Sequence, residues 1–130
     1  QGKARESKAK AVAGSIKAAT GLVKAQAMAN GVNCATATGT SVTMEGTSVT
    51  LNHCYPTAAG AFGSGVLAAA NVASADGWVI DGTNGGGSGV GSVLQINLND
   101  AATPASCSVT YTSAASATTP PTVSTTTSGC

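Results

Sequence analysis

Apolar residues recur at steps of four and three at Val12, Ile16, Ala19, Val23 and Ala27. At roughly 100° per residue they fall on one stripe, which predicts a single amphipathic helix over about residues 3–29. Lys3, Lys10, Lys17 and Lys24 repeat every seven residues. That spacing drifts by only about 20° per heptad, so the lysines form an exposed basic stripe opposite the apolar one. Asn30-Gly31 supplies a stop, because glycine tolerates the left-handed conformation that ends helices.

Beyond Cys34 the period changes to two. Val42 and Met44 alternate with Ser and Thr, Glu45-Gly46 supplies a turn, and Val49 and Leu51 resume the alternation, which predicts a β-hairpin with one buried face. A short helix is predicted from Val66 to Asn71, and Trp78-Val79-Ile80 reads as a strand between two Asp-Gly turns. The run Gly85-Gly86-Gly87-Ser88-Gly89 reads as a flexible loop. Leu94, Ile96 and Leu98, then Val109 and Tyr111, alternate with polar residues and give two further strands. The helix stripe Val12, Ile16, Ala19 and Val23 is expected to pack on one antiparallel sheet built from the hairpin and the later strands, in an α+β arrangement. The expectation is one domain over residues 1–130, with the helix at about 3–29, hairpin and sheet at about 34–112, and a closed tail at 107–130.

Composition limits the core. The chain has 130 residues, 42% of them hydrophobic and 8% charged, but 25 of the hydrophobic residues are alanines that bury little more than a methyl group each. A low-charge chain of this kind folds if its unfolded state is restricted. The four cysteines, Cys34, Cys54, Cys107 and Cys130, lack CxxC spacing, which points to disulfides in an oxidising compartment and away from zinc. Three pairings are possible. We favour Cys34–Cys54, which would close the hairpin, with Cys107–Cys130, which would close a tail in which 15 of the last 28 residues are Ser or Thr.

The net charge of +1 hides an asymmetry: all six basic residues lie in the first 24 positions with only Glu6 opposing them, and the remainder of the chain is acidic. The basic segment is expected to meet a different environment from the rest. Nucleic acid is not expected as a partner, because four aromatic residues in the whole chain supply too few rings for base stacking. No run of about 18 apolar residues occurs. His53 is the one histidine and reads as a polar surface residue at a strand end; a hydrolase built on it is the least favoured function. Asp76 and Asp81, with Asn84, could share a calcium loop, but turn chemistry beside glycine explains them more simply. No enzymatic activity, metal or cofactor is expected.

Several segments resemble type IV pilins, in particular those of the mannose-sensitive haemagglutinin type. They are Ala4-Arg5-Glu6-Ser7-Lys8 and Val12-Ala13-Gly14-Ser15-Ile16 in the helix, then Val42-Thr43-Met44-Glu45-Gly46-Thr47, Tyr55-Pro56-Thr57-Ala58 and Asp76-Gly77-Trp78. Their order covers about the first 80 positions; beyond the glycine run, only the strands and the closing cysteine continue the likeness. The pair Cys34/Cys54 is additional to the C-terminal bridge usual in that family.

The resemblance implies a structural subunit of an extracellular filament on a bacterial surface, used for attachment. It implies that Gln1 lies partway down a long helix whose apolar first part anchors the subunit in the inner membrane before assembly and packs in the filament core afterwards. The implied partners are other pilin subunits, through that helix, and a surface or host ligand of unspecified nature. Two other functions compete: a type II secretion pseudopilin, and a secreted carbohydrate-binding module centred on Trp78 and Tyr111.

Overall fold

The structure is a computed structural model that describes residues 1–130. Helix α1 spans Gly2–Ala29 and buries Ala9, Ala13, Ile16, Ala19, Val23 and Ala27. The stripe therefore begins one turn earlier than its bulkier members indicate, and Val12 lies half-buried on its flank. Four of the six buried residues are alanines, which lets the sheets approach the helix closely. The end of α1 forms a complete Schellman motif: Gly31, at φ +75°, donates its N–H to the Met28 carbonyl, and Val32 donates to that of Ala27. Val32 then packs against the core beneath it.

Two antiparallel sheets lie against α1, where the sequence pattern predicts one. The first has the order β1 (Thr40–Met44), β2 (Thr47–Asn52), β3 (Tyr55–Pro56). Both turn residues between β1 and β2, Glu45 and Gly46, have positive φ, as a two-residue hairpin loop requires. The turn from β2 to β3 repeats this with His53 and Cys54, both at positive φ and neither of them glycine. The short helix α2 (Gly65–Ala69) follows, at nearly its predicted place.

The second sheet is a meander of β4 (Trp78–Gly85), β5 (Val93–Leu98), β6 (Ser108–Thr112) and β7 (Thr122–Thr126). Its inner face carries Trp78, Leu94, Ile96, Leu98, Val109 and Tyr111, all buried. Strand β7 corrects the reading of the tail as a loop: it pairs with β6 along its whole length, from Thr122 opposite Thr112 to Thr126 opposite Ser108. Both favoured disulfides are present, Cys34–Cys54 and Cys107–Cys130, and no cysteine is free. They close loops of sequence separation 20 and 23.

The glycine run is not a free loop. Gly85 ends β4, and Gly87 bridges Ala58, donating its N–H to the Ala58 carbonyl. A side-chain carbon at Gly60 would overlap the Gly85 carbonyl, and one at Gly86 would overlap that of Ala58. Glycine is required here because two backbones meet, joining the first sheet to the second.

Candidate functional site

The uncovered faces of α1 carry the basic row that the sequence singles out. Lys3, Lys10 and Lys17 are exposed along it. Lys10 Nζ donates to Glu6 Oε1 at 2.9 Å, one helical turn away, and this contact holds the Glu6 carboxyl below its ordinary pKa. Lys24 departs from the exposed stripe: it is half-buried, with its Nζ 4.3 Å from the centre of the Tyr55 ring. The cause is the helical drift itself. About 20° per heptad accumulates to about 60° over three heptads, and that rotation carries the last lysine toward the buried side.

Two further basic residues hold the helix to the second sheet. Arg5 Nε donates to the Cys130 carbonyl at 2.7 Å. Lys8 Nζ donates to the Asp76 carbonyl. Of the six basic residues, three therefore remain as an exposed row and three act as struts or stacking partners.

On another flank of α1 lies a groove of about 410 Å³, lined by polar and apolar residues alike, between α1, the β1–β2 turn and α2. Ala18, Leu22, Met44 and Ala69 line it, and Glu45 stands at its rim. Leu22 is 63% exposed and Met28, further along the helix, is 60% exposed. These are the large apolar side chains of α1 that neither core uses, and the period-four-and-three pattern does not mark them.

The other residues marked by the sequence do not assemble into a reaction centre. His53 is 8% exposed, which corrects its reading as a surface residue; its Nδ1 lies 2.9 Å from the Cys34 carbonyl oxygen. It locks the disulfide loop at the positive-φ turn. Asp76 is exposed in a 3-10 turn, away from any carboxylate cluster. Asp81 accepts hydrogen bonds from the Thr83 and Asn84 N–H groups and from Asn97 Nδ2. Led by the Asn84 bond and then that from Asn97, these contacts hold its carboxyl below the ordinary value. Asn97 in turn accepts from Gln95, and Gln95 from Asn84, so four residues, with the Asn84 backbone N–H as the last link, close a ring that fastens the irregular middle of β4 to β5.

Trp78 and Tyr111 are each 1% exposed, and the Tyr111 hydroxyl donates to the Pro56 carbonyl at 2.7 Å. Neither ring offers a face to a sugar, so a binding module centred on them is not what this surface presents. Burial, with a smaller contribution from Tyr55, raises the Tyr111 pKa above its ordinary value. Comparison with models of known protein families, with curated proteins and with solved structures returns no match to this chain.

Proposed function

We propose that the chain is the globular part of a type IV pilin, a structural subunit of an extracellular bacterial filament that mediates attachment. The observation that carries this reading is the asymmetry of α1. Over 28 residues it gives one face to both sheets, from Ala9 to Ala27, and leaves the remaining faces, with Lys3, Lys10, Lys17 and Leu22, uncovered. A helix that carries a globule on one side and is free on the other suits a spine along which copies pack. In this reading an apolar continuation of the helix ahead of Gln1 holds the subunit in the inner membrane and later in the filament core. The partners are further copies of the chain.

The two disulfides support a location outside the reducing cytoplasm. They also support a subunit that must hold its shape with a core poor in large side chains. Deleting the gene and labelling intact cells with antibody against this chain tests the reading. The expected result is labelled surface filaments in the parent, with filaments and attachment both lost in the deletion. Unchanged filaments and attachment would overturn it. A calcium-dependent rise in melting temperature would instead favour the pseudopilin.

A further inference from the structure

Glu45 occupies a place that its turn does not call for. It stands at φ +50° between β1 and β2, where Asn, Asp or Gly fits and a longer side chain is disfavoured. Its carboxylate is exposed and unpaired, since the chain's one ion pair joins Lys10 to Glu6. An unfavourable backbone position with no local reason points to a role beyond the turn. Leu22 lines the same groove and is 63% exposed, so this flank of α1 presents an apolar knob beside a free negative charge.

The lysine flank carries the complement. Lys17 is exposed there with no acidic partner, and Gly14 and Gly21 lie about one turn to either side of it. Nothing comes within 4 Å of where a side-chain carbon would sit at either glycine, so packing inside the molecule requires neither, although each weakens the helix. They leave two hollows beside a positive charge. At roughly 100° per residue, Lys17 and Leu22 point about 140° apart, to either side of the outward face. One molecule cannot bring these patches together. They occupy the same stretch of α1, so a second molecule set alongside with its helix parallel can.

We propose that copies of this chain dock side by side, the Lys17 flank of one on the flank of Leu22 and Glu45 of the next. Lys17 pairs with the neighbour's Glu45, and the neighbour's Leu22 enters the hollow at Gly21. Because the two surfaces differ, the contact is heterologous: each end of a pair keeps a free flank, and the array grows where a self-complementary dimer would stop. One exposed ion pair and a small apolar contact give weak association, with a dissociation constant of about 1 mM. The proposal rests on the filament reading for its setting, in which subunits stand parallel at high local concentration, and on the two flanks alone for its chemistry.

Sedimentation equilibrium of the 130-residue chain at low salt is the test. The average mass should rise with concentration past that of a dimer, and added salt should suppress the rise. Lys17→Glu and Glu45→Lys should each weaken association about tenfold or more. An equal mixture of the two variants should restore it, since each then offers the other an opposite charge. Gly21→Met, which fills the hollow and favours the helix, should abolish association without lowering the melting temperature. A mass constant up to about 2 mM, growth that stops at a dimer, a mixture no better than its parts, or unchanged association in Gly21→Met would each overturn the proposal. Filaments on the parent cells beside a chain that stays monomeric would refute the docking and leave the filament reading standing. Association in solution beside cells without filaments would do the reverse.

Discussion

Helix α1 serves two unlike cores. Its first half, through Ala9, Ala13 and Ile16, joins a cluster of 15 buried residues that includes Trp78 and Tyr111 on the four-stranded sheet. Its second half, through Val23 and Ala27, joins a cluster of only six, with Val42, Val49, Leu51 and Cys54. In the large core Cys107, one of those 15 residues, is fully buried and ties down the tail through Cys130. In the small one Cys54 is equally buried but is one of only six residues, so the cystine makes up a much larger share of that interior. The difference shows how an alanine-rich chain with little bulk to bury holds a second sheet: a covalent bond stands in for the side-chain volume that is missing.

The largest effect is expected where the bulk is concentrated. Trp78→Ala should cost about 3–5 kcal/mol and, because both cores share α1, should lower the urea midpoint of the whole chain in one transition. Two separate transitions, by tryptophan-independent probes on each sheet, would show that the halves are not coupled through the helix.

Removing the cystines one at a time compares the halves directly. Their loop lengths are nearly equal, so chain entropy assigns each about 3 kcal/mol, and any contrast in outcome reports their surroundings. Cys34→Ala with Cys54→Ala should abolish amide protection in β1 and β2 while β5 and β6 stay protected. Cys107→Ala with Cys130→Ala should release β7 alone. Equal loss of protection across both sheets in the two variants would refute the contrast.

A smaller effect is expected at the link between the sheets. Tyr111→Phe leaves the Pro56 carbonyl without its donor and should cost about 1–3 kcal/mol. Burial keeps the folded phenol neutral well above its ordinary pKa. Its contribution is therefore complete below about pH 10, the unfolded value, and is lost as pH rises beyond it. The alkaline fall in stability should be shallower in the Phe variant.

The smallest effect concerns Asp81, which serves the second sheet only. Its carboxyl is held below the ordinary value by hydrogen bonds to its charged form, so its contribution is present above about pH 4 and fades as pH falls through the folded value. Asp81→Asn should flatten that acid limb by lowering stability slightly at pH 7 while leaving it nearly unaltered at pH 3. An unchanged slope in urea midpoints between pH 3 and pH 6 would remove the ring of side chains from the account.

The residues that announce themselves locally give the right elements. The α1 stripe, its Asn30-Gly31 end, the Glu45-Gly46 turn and the alternations in β5 and β6 all follow from spacing and turn chemistry. The division into two sheets does not, because β3 is two residues long and its turn uses His53 and Cys54, neither of which signals positive φ in a sequence. Nor is β7 legible: Val123 is its one apolar residue, and what specifies the strand is the ladder offered by β6. The glycine run misleads because the absence of side chains reads the same whether it permits motion or close approach. Lys24 was within reach, since the heptad drift alone carries it toward the buried side.

The contact between Arg5 and the Cys130 carbonyl also has a mechanical meaning. It brings Cys130 against the opening turn of α1, so in the filament reading proposed above a pull along the helix reaches that corner first. A bare edge strand pulled from its end would peel away rung by rung. Here the cystine passes the load from Cys130 to Cys107, at the root of β6, an interior strand held on both flanks. In that reading the load enters at a strand bonded on both sides and not at the free edge of the sheet.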